Sequence, residues 1–321
     1  MILLLLSLSP ISTYSMEEDA SKENELRLAL YKEMAAVTQV PWYTLAAVDQ
    51  YEASVRRSRK DLPKQEGLIG IYFSPEDWYG ALNPKKEGKG YPLSIQFFEG
   101  MGKDGNGDGK ADYRNDKDVL YTFADYLSSY GASWENIKIG LWNYYKRDKT
   151  VSLIVGHMKL FQKYGNVNLQ DHAFPVPLHS TYSYRSTWGD ARGWGGRRIH
   201  EGTDIFAGYG VPVRSTCYGI VEMKGWNRFG GWRIGIRDIN NTYHYFGHLN
   251  GFADDLQVGQ LVEPGQLIGS VGSSGYGPPG TSGKFPPHLH YGMYKDNGRT
   301  EWSFDPYPHL RAWERAERKA K

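Results

Sequence analysis

The sequence predicts an α+β protein with two domains, a mainly helical N-terminal domain and an antiparallel, all-β C-terminal domain. In the first half, apolar residues recur at helical spacing. In the second half, short apolar or alternating runs are separated by Gly, Asn and Pro, which is typical of strands and tight turns. A chain of 321 residues is long for one domain and sufficient for two.

The first half contains four segments with helical periodicity. Apolar residues are spaced for one buried helix face over residues 25–37, 41–55, 118–130 and 151–164. Pro41 stands where a helix can start, because proline is accepted in the first helical turn. Pro175 and Pro177 interrupt the pattern. We therefore expect a helical domain at 25–170 and a linker at 171–177.

The second half predicts strands joined by turns. Apolar or alternating runs occur at 211–221, 232–239, 243–249, 267–271 and 289–294. Asn240-Asn241 predicts a hairpin turn, because asparagine tolerates positive φ. Pro264-Gly265 predicts a second tight turn. This spacing indicates an antiparallel sheet.

The β domain is expected to span residues 178–312. Within it, a Gly/Ser/Pro-rich stretch at 272–287 predicts a long surface loop that leads directly into His288, as the rim of an active site would. The remaining residues, 313–321, form a mildly basic tail that we interpret as a solvated helix.

The charge and the N-terminus limit the classes of partner. The formal net charge is only +2 and no Lys/Arg block dominates one region, which argues against a nucleic-acid partner. Residues 1–24 begin with a short apolar run that lacks the basic start of a secretory signal. A bilayer span takes about 20 apolar residues, so we expect no stable membrane span. The run is either the trimmed end of an export signal, which we favour, or a frayed apolar tail.

Four histidines and one aspartate in the predicted β domain form the strongest chemical pattern in the chain. They are His200, Asp204, His248, His288 and His290. His288 and His290 are two apart, so on a strand their side chains share a face, about 6–7 Å apart. His200 and Asp204 converge if their segment is extended or turns tightly. Imidazole and carboxylate are the usual ligands of a catalytic zinc, whereas a lone His-x-His also arises by chance.

Two further residues bear on this pattern. Cys217 is the only cysteine, which excludes an intramolecular disulfide and a Cys-rich zinc site, so a metal must bind to histidine and carboxylate. His244 lies four residues before His248 and joins the site if that strand is regular; otherwise it is a packed or surface histidine. The whole pattern predicts a zinc hydrolase in which the surplus histidines move protons.

With these motifs, the segment 198–294 resembles the lysostaphin/LytM-type zinc metallopeptidases, which cut peptides in bacterial peptidoglycan. The resemblance is carried by His200…Asp204, Phe246-Gly247-His248-Leu249, the run GQLIGSVG at 265–272 and His288-Leu289-His290. It covers about a third of the chain, and its motifs are specific to that family.

The resemblance implies a role for each of these side chains. His200, Asp204 and His290 are the expected zinc ligands. His288 is the expected general base, and His248 stabilises the charge that develops on the carbonyl oxygen. Zinc lowers the pKa of its bound water towards about 7 and polarises the scissile carbonyl.

The same resemblance implies a substrate and a location. It implies an endopeptidase that hydrolyses stem peptides of peptidoglycan, outside the cytoplasm and in contact with the cell wall. The two-domain layout is most similar to sporulation-associated members from bacilli, which implies the L-Ala–D-Glu bond. Stem peptides carry carboxylates, and we hypothesise that Arg192, Arg197 or Arg198 binds one of them through a bidentate guanidinium.

The N-terminal half is similar to the helical, lysozyme-like domains of lytic transglycosylases. The similarity rests on the stretches 40–52, 69–78 and 104–112. It implies that Glu52, at the end of the first stretch, is a catalytic acid for glycan cleavage. Ala53 replaces the serine usual after that glutamate, and Ile71-Tyr72 replaces the usual Met-Gln. We therefore favour a fold that is retained for substrate binding or spacing.

One loop of the helical half has half of a calcium motif. Asp104, Asn106 and Asp108 occupy the first, third and fifth positions of an EF-hand loop, and Gly109 occupies the sixth. The twelfth position is Asn115 in place of the bidentate glutamate. The loop is either a weak calcium site or a polar turn.

Three functions remain open from the sequence. The first is a zinc endopeptidase acting on peptidoglycan. The second is a non-catalytic activator of other wall hydrolases, which we disfavour because such proteins usually lack metal ligands. The third is a bifunctional or glycan-cleaving wall hydrolase that uses Glu52, with the β domain as an anchor.

Overall fold

The computed structural model describes residues 11–193 and 198–320, which divide into two compact units. The first unit comprises the chain up to Asp49, Lys64–Lys146 and Gly165–Asn168. The second unit comprises Gln50–Pro63, Arg147–Tyr164 and the chain from Leu169 onward. Two segments of the helical half therefore group with the strands.

The N-terminal part is helical, as the sequence predicts. Its described helices are α1 (Ile11–Thr38), α2 (Trp42–Ser58), α3 (Pro75–Tyr79), α4 (Pro92–Phe97), α5 (Asp116–Ser128), α6 (Trp134–Tyr145) and α7 (Asp148–Tyr164). Each of the four predicted segments lies within one of them to within two residues, since 41–55 begins one residue before α2 and 118–130 ends two residues after α5. The lysozyme-like identity of this part stays a prediction. Among the described helices, none combines the length and the apolar character that crossing a bilayer requires.

Local capping explains where two of these helices begin. Ser74 precedes α3, and its hydroxyl accepts a hydrogen bond from the Asp77 N–H. Asn115 precedes α5, and its side-chain oxygen accepts from the N–H groups of Lys117 and Asp118. The residue at the twelfth position of the supposed calcium loop is therefore a helix cap.

The second unit contains the strands and a last helix. They are β1 (Tyr182–Tyr184), β2 (Ala191–Arg192), β3 (Arg198–Ile199), β4 (Thr203–Ala207), β5 (Pro212–Arg214), β6 (Gly219–Asn227), β7 (Gly231–Asp238), β8 (Thr242–Phe252), β9 (Leu261–Val262), β10 (Leu267–Val271), β11 (His288–Asp296), β12 (Glu301–Phe304) and α8 (Tyr307–Lys319).

The main sheet is antiparallel, as predicted. Its order is β1-β4-β11-β8-β7-β6-β9, with β10 joining β8 to β5 and β12 pairing with β11. Asn241, in the turn between β7 and β8, has a φ of 59°, and Gly265, in the turn before β10, has a φ of 83°. Both predicted turns are therefore present, each with a residue in the left-handed region.

Strand β11 separates the core from the site by simple alternation. Leu289, Tyr291 and Met293 are buried in the apolar core of the second unit. Side chains on a strand point alternately to opposite faces, so His288 and His290 lie on the other face. The core thus packs against the back of the strand that carries the histidine pair.

Helix α8 is part of this domain and not a solvated tail. Leu310 is fully buried in the core, and Trp313 packs against it. Glu314 accepts hydrogen bonds from the hydroxyls of Tyr182 and Tyr184, both at 2.6 Å. The basic composition of residues 313–321 hid these contacts, because the acidic and aromatic residues between the bases make them.

Candidate metal centre

Two neighbouring strands bring the predicted ligands together. In the antiparallel pairing of β4 with β11, Asp204 lies opposite His290 and Phe206 lies opposite His288. Directly opposite residues have Cβ atoms about 4.5–5.5 Å apart and share a face. His200 enters from the turn before β4.

Three ligand atoms converge on one point. His200 Nε2 lies 2.9 Å from His290 Nδ1 and 3.1 Å from Asp204 Oδ1, and His290 Nδ1 lies 3.0 Å from the same oxygen. Ligands on a tetrahedral zinc, each about 2.0–2.1 Å from the ion, are about 3.3 Å apart. Within residues 11–193 and 198–320, this trio is the group of His, Cys, Asp and Glu side chains with metal-binding geometry.

The surroundings orient the ligands for a metal. His200 Nδ1 donates to the carbonyl oxygen of Thr187 at 2.9 Å, which leaves the lone pair of Nε2 directed at Asp204. Such an outer hydrogen bond is typical of metal-binding histidines. A Cβ on Gly202 would lie 2.6 Å from the His290 ring, so only glycine leaves room for that ligand.

Electrostatics keep the carboxylate ionised. Burial by itself raises the pKa of Asp204, but its close contacts with the imidazoles of His200 and His290, and the positive charge that His290 and His288 carry when protonated, outweigh it and hold the pKa far below its ordinary value. Two imidazoles and an ionised carboxylate with converging lone pairs fit a divalent zinc ion.

His248 reaches this site through a β-bulge. On a regular strand it would point with Phe246 into the core. Between two successive pairs of the β7–β8 ladder, β7 has one intervening residue and β8 has two. The extra residue is accompanied by a φ of 60° at His248. As a result the His248 ring lies beside His288, with 4.8 Å between the ring centroids.

His244 does not join the site. It is fully buried on the core face, where Nδ1 lies 2.6 Å from the Tyr291 hydroxyl and 3.1 Å from the Thr216 hydroxyl. Its Nε2 lies 3.2 Å from Asp238 Oδ2. The alternative of a packed histidine therefore holds, because the bulge removes the regular spacing that would have placed His244 with His248.

The two remaining histidines present the same kind of nitrogen to the site. His248 Nδ1 lies 2.8 Å from the Ser274 carbonyl oxygen, and His288 Nδ1 lies 2.8 Å from the Pro286 carbonyl oxygen. A carbonyl only accepts, so in each neutral ring the proton is on Nδ1 and Nε2 carries the lone pair. Burial, together with the charges of His288 and His290, lowers the pKa of His248 to about 3. His248 is therefore neutral at neutral pH.

Two cavities flank these residues. One, of about 390 Å³, is lined by Arg198, Arg233, Tyr245, His248, Tyr276 and His290, among others. The other, of about 400 Å³, is lined by Asp204, Phe206, His248, Tyr276, Phe285 and His288, among others. Both linings include His248 and Tyr276, so the two cavities adjoin at these residues, and we refer to them together as the groove.

The structure gives different outcomes for the three arginines expected to bind substrate. Arg198 lines the groove, stacks over the rings of Phe229 and Tyr276, and donates to the Tyr276 hydroxyl at 2.9 Å. Arg192 ends strand β2, and Arg197 lies outside the described residues. Sequence reasoning missed Arg233 in the same groove, because a single arginine within a strand forms no motif.

Two expectations for the helical half find no place in this site. Glu52 is buried on α2 and does not line the groove. The carboxylate of Asp104 accepts hydrogen bonds from the N–H groups of Gly107, Asp108 and Gly109. The structure thus shows the polar turn and does not support calcium there.

The comparisons with known proteins agree with this geometry. The profile of Peptidase family M23 matches residues 198–304. The L-Ala–D-Glu endopeptidase of Bacillus subtilis (strain 168) is 71% identical over 291 residues, which cover 91% of this chain and 89% of that protein. Lysostaphin of Staphylococcus staphylolyticus is 31% identical over 116 residues, which cover 36% of this chain and 22% of that protein.

A solved structure and the near full-length relative complete the comparison. The catalytic domain of lysostaphin from Staphylococcus simulans is 27% identical and matches with a TM-score of 0.35, covering 44% of this chain and 99% of that one. The likeness to lysostaphin/LytM-type peptidases expected from the motifs is confirmed by the family profile and by the relative at 71% identity. The chain belongs to peptidase family M23.

Proposed function

We propose that this protein is a zinc-dependent endopeptidase that hydrolyses the L-Ala–D-Glu bond in peptidoglycan stem peptides. The observation that carries the proposal is the convergence of His200, Asp204 and His290 beside the lone pairs of His248 and His288. The choice of bond rests on the 71% identical relative, whose name specifies it. Such a substrate places the protein outside the cytoplasm at the cell wall, and the resemblance to sporulation-associated peptidases of bacilli adds a role during sporulation to the proposal.

The side chains suit amide hydrolysis. Zinc, when held by His200, Asp204 and His290, supplies a Lewis acid that activates water and polarises the carbonyl. His288 Nε2 accepts the proton of the attacking water, since its Nδ1 is committed to the Pro286 carbonyl. His288 then returns that proton to the leaving amine of the product.

His248 acts on the carbonyl oxygen only in one protonation state. Because Nδ1 donates to Ser274, a neutral His248 has no N–H to offer the oxyanion. Once Nε2 is protonated it becomes a donor, and a donor of this kind contributes roughly 3 kcal/mol to the transition state. The negative charge that develops during the reaction favours that protonation and offsets the lowered pKa.

The remaining sequence expectations enter as parts of the proposal. Arg198, with Arg192 and Arg197 near it in the chain, supplies positive charge at the rim of the groove. The helical domain at 25–170 serves substrate binding or spacing, with Glu52 as a catalytic acid in the alternative, glycan-cleaving function. The residues 171–177 link it to the peptidase domain at 178–312.

Digestion of purified peptidoglycan tests the proposal. The protein is incubated with wall in zinc buffer and in excess chelator, and the fragments are identified by mass spectrometry. We expect glycan strands that keep a single alanine, and no release in chelator or with a His290→Ala variant. Anhydro-sugars that disappear in Glu52→Gln would support glycan cleavage instead, and the absence of any product would support the non-catalytic activator.

A further inference from the structure

Arg233 differs from the other arginine on its strand. Arg237, also on β7, is fully buried and paired with Glu222 at 3.1 Å and Glu301 at 2.7 Å. Arg233 is half-buried and lines the groove beside the metal ligands. Within the described part of the chain, no carboxylate forms an ion pair with Arg233, and its buried Nε has no acceptor.

A tyrosine lies between this guanidinium and the metal ligands. Burial raises the pKa of Tyr245 and the nearby charge of Arg233 opposes that rise, so the two side chains are neighbours in the groove, and the Tyr245 ring lies 5.7 Å from the His290 ring, between centroids. The hydroxyl occupies the space that a Cβ on Gly230 would take, at 1.9 Å from that position. Arg233 is thus one side chain away from a metal ligand, and the side chain between them is a neutral tyrosine that does not neutralise its charge.

The substrate of the proposed reaction carries a negative charge next to the scissile bond. In a stem peptide the glutamate continues the chain through its side-chain carboxyl, so its α-carboxylate is free. That carboxylate is bonded to the carbon that bears the scissile nitrogen, and its carbon lies about 2.5 Å from that nitrogen. An uncompensated guanidinium next to the metal ligands is therefore within reach of it, and such pairs form strong, directional hydrogen bonds.

We infer that Arg233 binds the α-carboxylate of the D-glutamate and makes the peptidase specific for an ionised residue after the scissile bond. The inference rests on the proposed function, which supplies the position of the glutamate. Arg198 is the less suitable partner. Its guanidinium is exposed, stacked on Phe229 and Tyr276, and already donates to the Tyr276 hydroxyl.

A matched pair of peptides tests the inference. Both are N-acetyl-L-Ala–D-Glu peptides extended through the γ-carboxyl, one with the α-carboxylate and one with the α-carboxamide. We expect the zinc-loaded wild type to cleave the carboxylate peptide with a kcat/KM about 10- to 100-fold higher. Arg233→Gln should remove that preference by slowing the carboxylate peptide alone. Arg228→Gln, which removes an exposed charge outside the groove, should keep the preference.

A binding measurement separates this inference from the function on which it rests. The affinity of both peptides is measured by calorimetry in His288→Ala and in His288→Ala with Arg233→Gln, with zinc content and melting temperature as checks on folding. A carboxylate preference that disappears with Arg233 supports the inference even if the wild type cuts another bond, which would overturn the function alone. Equal losses for the two peptides, or no preference in the wild type, overturn the inference while cleavage still supports the function.

Discussion

Two histidines on strand β8 have opposite fates. His244 is enclosed in the core, and both of its ring nitrogens lie against hydroxyl or carboxylate oxygens. His248, four residues later, has one nitrogen on the Ser274 carbonyl and the other on the side of the groove. Both are histidines on one strand, and their even separation predicts that they share a face. The difference lies in which ring nitrogens the fold has already paired.

The same contrast extends to the two faces of the sheet around these residues. On the core face, Asp238 has its carboxylate filled by His244 and by the N–H groups of Asn240 and Thr242. On the groove face, Asp204 faces two imidazoles whose lone pairs are directed at the same position. Polar groups that saturate one another stabilise a fold, whereas lone pairs that converge without protons are suited to a cation.

The largest expected effect follows from removing a ligand. His290→Ala leaves two side chains at the trio, and we expect zinc to be lost and kcat/KM on wall peptides to fall by at least about 10³-fold. Zinc content by elemental analysis and cleavage rate are measured together. His309→Gln, an exposed histidine outside the groove, is the control and should keep both. Full activity in the zinc-free His290→Ala protein would mean that the trio is not the catalytic centre.

The two β8 histidines should separate catalysis from stability. For His248→Ala we expect kcat to fall by about 10²- to 10³-fold with little change in stability, because its ring acts on the reacting groups. For His244→Ala we expect the free energy of unfolding to fall by about 2–4 kcal/mol, because Asp238 and Tyr291 lose a buried partner. Rates on wall peptides and urea unfolding curves test the two variants. If the two variants lost the same amount of activity and the same free energy of unfolding, the core face and the groove face would not differ in role.

This contrast also marks what the sequence could predict. Helices in the first half, antiparallel strands in the second and the turn at Asn240-Asn241 follow from periodicity and turn chemistry. The family resemblance carried by short, specific motifs also singled out the trio that the structure brings together. The bulge at His248 was not predictable, since an extra residue in one strand depends on the pairing with its neighbour. Arg233 was missed because what distinguishes it is that no carboxylate among the described residues forms an ion pair with it, and only the folded structure shows this.

The core-face pair should give an acid-sensitive contribution to stability. Burial raises the pKa of Asp238, but its hydrogen bond to His244 and the charges of His244 and Lys295 outweigh this and hold the pKa below its ordinary value. A lowered folded-state pKa means that the stabilisation is present above the unfolded value of about 3.9 and is lost as the pH falls through the folded one.

An asparagine at position 238 tests this sign. We expect Asp238→Asn to lower the free energy of unfolding by about 1–3 kcal/mol at pH 7. The difference from the wild type should shrink as urea unfolding is repeated at pH values below about 4, where the unfolded carboxyl is protonated. A difference that grew on acidification would require a pKa raised by folding, the opposite of the arrangement described.

The smallest expected effect comes from the glycine beside the ligand. In Gly202→Ala, the new methyl group lies 2.6 Å from the His290 ring and must displace it. Because a displaced ring still carries its nitrogen, we expect zinc affinity to fall by only about 10- to 100-fold, as when an outer partner of a ligand is altered. Zinc affinity is measured by competition with a chelator, and Gly208→Ala is the control, since its methyl group meets the nearest atom at 3.9 Å. If both variants bound zinc as tightly as the wild type, the His290 ring could shift without weakening the site. That result would contradict the idea that His200, Asp204 and His290 are held rigidly in their converging positions. The site would then be a flexible cluster that zinc itself assembles, and the contrast with the saturated core face would be one of rigidity as well as of pairing.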